Sequence, residues 1–354
     1  METIIIEVKT EKPYKVYIGA GCAAEIENTI PDNAVKAAII WDERVNASFV
    51  AEIGGYLEKA GIECLALSVE GGEGLKSLKQ YEKLVGYLEE FGLTGSDLIV
   101  AVGGGTVGDL ASFVASTYRR GTKLFMIPTT VLSACDSSVG GKNALNIGNY
   151  KNVVGTFFQP DAVFIDPETF DSLSDEVFCD GMAEIVKYGM ICDEALFDIL
   201  CHDSVISNRA DYELLSKILA RSLKIKAEIV ERDETDKGER HLLNFGHTFA
   251  HAIESKSDFT VDHGRAVAMG MVMITKISEE KGLTQKGTLK KLKGCLDTQK
   301  IEWQCPYNEK ALYKLILNDK KINGDSINLV IAEKPGKCMI HNVKLSDLEG
   351  WMIK

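Results

Sequence analysis

Residues 97–118 read DLIVAVGGGTVGDLASFVASTY and contain the pattern of a strand, a turn and a helix in succession. It begins with an apolar run of strand length, passes through three adjacent glycines and continues in a helical pattern, one face of which carries Leu110, Phe113, Val114 and Thr117. Glycines at such a turn let the backbone approach a phosphate group, and the N-terminus of the following helix supplies N–H donors. This order predicts a phosphate-binding turn in a parallel α/β sheet.

The glycine turn alone does not identify the ligand that it would bind. Residues 103–108 satisfy G-x-G-x-x-G, but the acidic residue expected about 20 positions later in the usual dinucleotide fold is missing. A glycine turn needed only for tight packing is the alternative. A P-loop is disfavoured, because Asn143 follows Lys142 in VGGKN where Ser or Thr should stand.

The same alternation of strand and helix extends over residues 1–167. Short apolar runs recur there in VKAAIIWD, GIECLALSV, TKLFMIPTT and DAVFIDP. Strand signals fade from Glu168 onward, and long amphipathic segments such as DYELLSKILARSLKIKAEIVERD take over. We therefore predict an α/β protein with an N-terminal Rossmann-like parallel-sheet domain, residues 1–167, and a mostly α-helical domain, residues 168–354. The segment INLVIAEKPGKCMIHNV predicts a small β element within the second.

Composition excludes several classes of partner. The chain has 354 residues and a net charge of -12, so no surplus of Lys and Arg exists to neutralise nucleic-acid phosphates or an anionic membrane. The opening METIIIEVKT lacks the pattern of a signal peptide, and no apolar stretch reaches transmembrane length. Nine cysteines without a C-x-x-C pair fit reduced thiols. These features predict a cytoplasmic protein.

Two histidines stand one helical turn apart in NFGHTFAH, residues 244–251. His247 and His251 would share a helix face, and two imidazoles on one face can hold a metal. The zinc-peptidase motif H-E-x-x-H requires Glu where Thr248 stands, which disfavours that class. Two ordinary helix residues are the other interpretation of this spacing.

A charged cluster follows from DGMAEIVKYG, residues 180–189. Glu184, Lys187 and Tyr188 have helical i, i+3, i+4 spacing, so the carboxylate and the ammonium share a face. An ion pair on the protein surface is the alternative to a functional pair.

Taken in order, seven motifs resemble the 3-dehydroquinate synthase family: GGGTVGD, PTT, DSSVGGK, KN, GMAEIVKYG, GERHLLNFGHTFAH and DHGRAVAMG. The resemblance extends from about Asp42 to Lys321. It implies a cytosolic, homodimeric enzyme of the shikimate pathway that binds NAD and one divalent metal, Zn²⁺ or Co²⁺. The implied reaction converts 3-deoxy-D-arabino-heptulosonate 7-phosphate into 3-dehydroquinate and phosphate.

The resemblance also implies roles for individual residues. The metal ligands would be Glu184, His247 and His263, with His251 beside the metal as a proton-transfer group. Glu254, one turn further along, would either support a ligand or be solvated. Because Arg265 stands where the family often has Glu, a cation replaces a carboxylate that could orient His263.

The remaining implied contacts fall into two groups. NAD would be bound by Asp42, Glu73, Lys76, Gly104, Gly105, Asp109, Thr129, Thr130, Lys142, Lys151 and Thr169. The substrate and its reacting groups would be contacted by Asp136, Lys142, Asn152, Lys187, Lys226, Arg240, Asn244 and His251, with Arg120 lent across the dimer interface. Either Lys320 or Lys321 would contact the phosphate.

The implied mechanism uses NAD to oxidise a substrate hydroxyl transiently, after which phosphate leaves by β-elimination, the hydride returns and an intramolecular aldol step closes the ring. One rival is another sugar phosphate cyclase acting on sedoheptulose 7-phosphate or glucose 6-phosphate, which lack the carboxylate that Lys226 and Arg240 would bind. A metal-dependent polyol dehydrogenase of similar fold would instead release NADH. A non-enzymatic nucleotide sensor would need neither metal-type nor anion-binding residues.

Overall fold

The structure is a computed structural model that describes residues 2–148, 150–317, 322–323 and 325–352. It forms two compact units. One contains the residues up to Ser174 together with Ala210–Glu231, and the other contains Asp175–Arg209 together with the residues from Arg232 onward. Compact units do not by themselves define domains, so the division near residue 167 stays a prediction.

Within the described residues, nine strands belong to the first unit. They are β1 (Ile4–Val8), β2 (Tyr14–Ile18), β3 (Lys36–Asp42), β4 (Glu63–Val69), β5 (Leu98–Gly103), β6 (Lys123–Pro128), β7 (Lys142–Ile147), β8 (Tyr150–Phe157) and β9 (Ala162–Ile165). Seven form one sheet in the order β1-β2-β9-β6-β5-β3-β4, in which only β1 and β2 pair antiparallel. The other two, β7 and β8, form a separate antiparallel hairpin.

Continuous apolar runs produce the centre of this sheet. All residues of β5 and β9 are buried, and β6 is buried apart from its first residue. Strands covered on both faces need such runs, whereas a strand with one wet face alternates. The five strands predicted from their apolar runs are confirmed as β3, β4, β5, β6 and β9.

The helices lie in both units. They are α1 (Ala47–Lys59), α2 (Leu78–Phe91), α3 (Gly105–Thr117), α4 (Asp175–Cys192), α5 (Glu194–His202), α6 (Tyr212–Arg232), α7 (His247–Lys256), α8 (His263–Glu280), α9 (Thr288–Thr298), α10 (Glu309–Ile316) and α11 (Leu345–Met352). Helix α6 packs with the first unit although it follows α4 and α5 in the chain. Among the described residues, no helix combines the length and apolarity needed to cross a membrane.

The second unit is mostly helical. Its small sheet contains β10 (Ile322–Asn323), β11 (Ser326–Lys334) and β12 (Lys337–Lys344), which pair antiparallel in this order. The β element predicted near the end of the chain is therefore confirmed. An α/β first part and a mostly helical second part match the predicted fold class.

Candidate active site

The carboxyl edge of the large sheet gathers several predicted cofactor residues. Asp42 ends β3, and Gly103 ends the neighbouring β5. The sheet continues from β3 to β4 on one side and from β5 to β6 on the other, so the strand order reverses at this point. Ligands of doubly wound sheets bind at such a reversal. Thr129 and Thr130 follow β6 at the same edge.

The glycine turn serves packing as well as approach to a ligand. A Cβ on Gly108 would lie 2.9 Å from Met126 Cε, and one on Gly105 would lie 3.2 Å from Ser137 Oγ. Helix α3 therefore packs closely against Met126 of β6 and against Ser137, and a side chain at either glycine would require its neighbour to move. Its N-terminus begins directly after Gly104, at the carboxyl edge.

Asp42 is contacted by an arginine that the sequence motifs did not single out. Arg44 Nε donates to Asp42 Oδ1 at 2.9 Å, and Arg44 Nη2 donates to Asp42 Oδ2 at 2.7 Å. Burial would raise the pKa of Asp42, but the hydrogen bonds from Arg44 hold that pKa below its usual value. A ligand that uses both oxygens of Asp42 must share them with Arg44 or displace it.

Lys76 connects predicted cofactor contacts with a predicted substrate contact. Its ammonium is 2.6 Å from Asp109 Oδ2, 3.7 Å from Glu73 Oε1 and 2.5 Å from Asn152 Oδ1. The residue is 4% exposed, so these contacts lie largely out of solvent. Burial raises the pKa of Asp109 even though the Lys76 ammonium opposes that shift.

A cavity of about 350 Å³ lies beside this network. It is lined by Asp109, Lys142, Asn143, Asn152, Thr156 and Phe157, among others. Lys142 and Asn152 belong to opposite strands of the β7–β8 hairpin, so the hairpin brings two predicted substrate contacts to one cavity.

Helix α6 delivers Lys226 to Asp136, which lies 90 residues earlier in the chain. Lys226 Nζ is 2.6 Å from Asp136 Oδ1 and also donates to the Asp136 carbonyl. The Lys226 side chain is 5% exposed. Two residues that the resemblance implied for substrate binding are thus in contact.

In the second unit, Glu184, His247 and His263 form a cluster. They come from α4, α7 and α8, and one potential ligand atom from each residue lies within 4.8 Å of the others. Glu184 Oε1 is 3.5 Å from His247 Nε2 and 3.3 Å from His263 Nε2. His251 lies on α7 with its ring centroid 5.9 Å from that of His247.

The second nitrogen of each imidazole has its own partner. His247 Nδ1 lies 3.1 Å from the Phe245 carbonyl oxygen, and His263 Nδ1 lies 3.3 Å from Glu254 Oε1. Such contacts orient histidine ligands in metal sites. One carboxylate and two imidazoles presented through Nε2 therefore fit Zn²⁺ or Co²⁺ and leave coordination positions for other oxygens. Of the two interpretations of Glu254, the structure supports contact with His263.

The ion pair predicted from GMAEIVKYG is buried. Glu184 and Tyr188 are 0% exposed and Lys187 is 1% exposed, so the alternative of a surface pair is wrong. Lys187 Nζ contacts Glu184 Oε2 and lies 4.9 Å from the centroid of the Tyr188 ring. Burial opposes protonation of His263, but hydrogen bonds to Glu184 and Glu254 raise its pKa to about 10. The cluster therefore favours positive charge between its carboxylates.

Close helix packing assembles the cluster. A Cβ on Gly264 would lie 1.8 Å from the Asp180 carbonyl oxygen, so α4 and α8 approach closely only with glycine there. Asp180 Oδ1 also accepts from the backbone N–H of Arg265 at 3.1 Å, and burial raises the pKa of Asp180 to about 6. The sequence signal for this missed residue is its position one helical turn before Glu184.

Arg265, the main departure from the family pattern, contacts Glu302 through Nη2. It therefore does not replace Glu254 as the partner of His263. Arg240 is 3% exposed, and its Nη1 donates to the Glu234 carbonyl oxygen at 2.7 Å.

Four further predicted residues are half-buried or exposed. Asn244 and Lys151 are half-buried, and Arg120 is exposed with a backbone φ of 67°. Thr169 donates to the Asp166 carbonyl oxygen at 2.6 Å. Lys320 and Lys321 lie outside the described residues.

Comparisons with known proteins identify the family of the chain. A family model for the 3-dehydroquinate synthase N-terminal region matches residues 66–180, and one for the C-terminal region matches residues 181–322. The 3-dehydroquinate synthase of Clostridium kluyveri is 39% identical over 99% of this chain and 98% of the relative. That of Streptococcus mutans is 39% identical over 97% of this chain and 98% of the relative.

A solved structure of similar fold is that of 2-deoxy-scyllo-inosose synthase complexed with carbaglucose-6-phosphate, NAD⁺ and Co²⁺. It has a TM-score of 0.88 and 25% identity, and the match covers 99% of both chains. With both family models matched and identity near 39% over almost the full length, the chain belongs to the 3-dehydroquinate synthase family.

Proposed function

We propose that the chain is a 3-dehydroquinate synthase, which converts 3-deoxy-D-arabino-heptulosonate 7-phosphate into 3-dehydroquinate and phosphate. The observation that carries this proposal is the cluster of Glu184, His247 and His263 in a chain of this family. Both imidazoles present Nε2 to the buried carboxylate, which is the arrangement that a catalytic metal requires.

The proposed cofactors are NAD and one divalent metal, Zn²⁺ or Co²⁺. The solved cyclase that binds NAD⁺ and Co²⁺ supports the same pair here. When bound, NAD supplies a reversible hydride acceptor and the metal supplies a Lewis acid for a substrate oxygen. Glu184, His247 and His263 would hold the metal, and the carboxyl edge of the sheet around Asp42 and Gly104 would hold NAD.

The proposed roles in the second unit follow from charge and burial. Lys187 keeps an ammonium group in a dry environment against Glu184, where it can donate a hydrogen bond to a substrate oxygen that gains negative charge. His251 lies beside His247 without belonging to the ligand cluster, and its imidazole can move a proton. Arg240 is the proposed contact for the substrate carboxylate.

The first unit supplies the proposed phosphate contacts. Lys142 and Asn152 line the same cavity, and the hydrogen bond from Lys76 holds the side chain of Asn152. Asp136 and Lys226 form a hydrogen-bonded pair, in which Asp136 is the proposed contact for a substrate hydroxyl and Lys226 a proposed contact for the substrate carboxylate. Each of these groups binds or orients the substrate, while the redox chemistry belongs to the cofactor.

A comparison of three substrates tests the proposed reaction. Purified protein with NAD and Zn²⁺ or Co²⁺ is supplied with the heptulosonate phosphate, sedoheptulose 7-phosphate or glucose 6-phosphate, and products are identified by mass spectrometry. We expect 3-dehydroquinate from the heptulosonate phosphate and little turnover of the others, because these two lack the carboxylate. Preferred turnover of sedoheptulose 7-phosphate would identify a different sugar phosphate cyclase.

We also propose a homodimer in the cytoplasm, with a small phosphorylated sugar acid as the substrate and no nucleic-acid or membrane partner. Arg120, exposed at the end of the segment after α3, is the residue proposed to reach the active site of the partner subunit. Light scattering during size-exclusion chromatography tests the dimer, for which the measured mass must be twice that of one chain.

A further inference from the structure

Asn146 lies where the pairing between β7 and β8 is interrupted. The register of the hairpin shifts between Leu145 and Ile147. The backbone N–H of Asn146 donates to the Lys76 carbonyl oxygen at 2.8 Å. This residue therefore joins the hairpin to the turn that contains Lys76.

The side-chain amide of Asn146 uses both of its ends. Its Nδ2 donates to Glu73 Oε1 at 2.7 Å, and its Oδ1 accepts from the backbone N–H of Asn152 at 2.9 Å. Because one end must donate and the other must accept, these two partners determine the orientation of the amide. Asn146 thus links Glu73, a proposed NAD contact, to Asn152, a proposed substrate contact.

Asn152 depends on such support. Its backbone φ is 54°, in the left-handed region that asparagine tolerates but that costs energy. The backbone N–H of Asn152 donates to the side chain of Asn146, and the side-chain oxygen of Asn152 accepts from Lys76 Nζ at 2.5 Å. Lys76 is itself buried and lies 2.6 Å from Asp109, so it is a firm anchor, whereas Asn152 is exposed.

We infer that Asn146 is a positioning residue that fixes Asn152 for contact with the substrate phosphate and fixes Glu73 for contact with NAD. This inference rests on the proposed function. Asn146 acts through its two neighbours: the acceptor end of its amide positions Asn152, and the donor end positions Glu73.

Two substitutions of Asn146 distinguish the effect of its acceptor end from the effect of its donor end. Asn146→Ala removes both, and we expect it to raise KM for the heptulosonate phosphate about tenfold, as expected for the loss of one positioning hydrogen bond, with a smaller change in kcat. Asn146→Asp keeps an acceptor for the Asn152 N–H but places a carboxylate against Glu73, so it should raise the Kd of NAD more than the KM of the substrate. Asn342→Ala removes an asparagine amide that bonds to Asn328 at 2.9 Å, and as the control it should leave both constants unchanged.

A double-mutant cycle tests whether Asn146 acts through Asn152. In an Asn152→Ala background, Asn146→Ala should no longer raise the substrate KM, because its target is gone. Independent, multiplicative effects of the two substitutions would overturn the inference, as would an unchanged KM in Asn146→Ala alone. If the unaltered enzyme fails to convert the heptulosonate phosphate, the proposed function itself is wrong, and this outcome is distinct from both.

Discussion

Glu184 has a carboxylate with no exposure to solvent, and such a group is costly to bury without compensating charge. The structure surrounds it with the ammonium of Lys187 and the imidazoles of His247 and His263. A divalent metal would add positive charge at the same carboxylate. The burial of Glu184 and the two imidazoles around it therefore favour a divalent metal at this cluster. The contact that each imidazole makes through Nδ1 favours the same ligand.

Replacing His263 with Ala should remove the metal. The variant retains one carboxylate and one imidazole, which bind a divalent ion much more weakly than three ligands do. Elemental analysis after dialysis should find far less metal, while circular dichroism remains that of the unaltered protein.

His251→Ala provides the control for this substitution, because His251 lies beside His247 but outside the ligand cluster. It should keep its metal and lose turnover. Stoichiometric metal in His263→Ala would show that the ligand assignment is wrong.

Arg240 carries a separate prediction about the substrate carboxylate. Arg240→Ala should raise KM for the heptulosonate phosphate by roughly one to two powers of ten, since a charge-assisted contact contributes about 1.5 to 3 kcal/mol. Steady-state kinetics measure this change. Arg232→Ala removes an exposed arginine that pairs with Glu239, and it should leave KM almost unchanged. Equal KM values in the two variants would contradict the role of Arg240.

At the scale of elements, the contact between α7 and α8 determines where His247 lies. Gly246 precedes His247 with a φ of 80°, and a Cβ there would lie 2.8 Å from the Met271 backbone nitrogen. A Cβ on Gly270 would lie 2.1 Å from the Gly246 carbonyl oxygen. The two helices can therefore approach this closely only because both positions lack a side chain.

Gly246→Ala should destabilise the protein by more than its backbone conformation explains. Gly282→Ala is the matched control, since Gly282 has a φ of 73° and no atom within 4 Å of an added Cβ. We expect the control to cost about 1 kcal/mol and Gly246→Ala about 3 kcal/mol or more, because overpacking adds to the conformational cost. Urea unfolding measures both, and equal losses would show that the close approach has no energetic role.

Asp97 anchors the beginning of β3 beside the turn before β5. Its Oδ1 accepts from the backbone N–H groups of Val35 and Lys36 at 3.0 Å, and its Oδ2 accepts from the backbone N–H and the hydroxyl of Thr94 at 2.7 Å. Burial would raise the pKa of Asp97, but these hydrogen bonds hold that pKa below its usual value. The ionised form is therefore the one that the fold favours.

This shift predicts a pH-dependent contribution to stability. A lowered carboxyl pKa stabilises the fold above the unfolded value of 3.8, and the contribution is lost as pH falls through the lower folded pKa. Asp97→Ala should cost about 3 kcal/mol at neutral pH, because four hydrogen-bond donors lose their acceptor. Urea unfolding across the acidic range should show the difference shrinking below pH 3.8, whereas exposed Asp32→Ala should cost little at any pH. A difference that stays constant with pH would contradict this account of Asp97.

The sequence predicted the strands whose apolar runs are continuous, but not the antiparallel pairs β1–β2 and β7–β8. Strand β1 alternates at the edge of the sheet, and β8 is largely exposed, so neither has the apolar run on which the prediction depended. The helix after the glycine turn was predicted because its apolar spacing is local. The packing of α6 with the first unit was missed, since it depends on contacts far apart in the chain.

In the site, too, local spacing was predictable and contacts between distant segments were not. The shared face of Glu184 and Lys187 follows from their spacing in one helix, but their burial does not. The contact between Lys226 and Asp136 spans 90 residues, and no periodic pattern encodes it. The family motifs named both residues without placing them together. Contacts of this kind are determined by tertiary packing, which the pattern of one segment does not contain.

For the whole molecule, charge distribution favours a small anion over a polyanion. The chain has a net charge of -12, which repels nucleic acid at long range. Among the described residues, four that carry a cationic side chain nevertheless have an exposure of 4% or less for the residue as a whole, namely Lys76, Lys187, Lys226 and Arg240. Buried cations can bind individual carboxylate or phosphate groups strongly while contributing little to an extended basic surface.

We propose that the enzyme returns the hydride that it first removes from the substrate, whereas a dehydrogenase of similar fold would release NADH. The direct measurement follows phosphate release and NADH absorbance together, using purified protein, metal, the heptulosonate phosphate and NAD in an amount far below that of the substrate. We predict that phosphate accumulates well beyond the amount of NAD, with no net NADH, because the cofactor is regenerated in every turnover. NADH that grows in step with product, and stops when NAD is exhausted, would contradict the proposal.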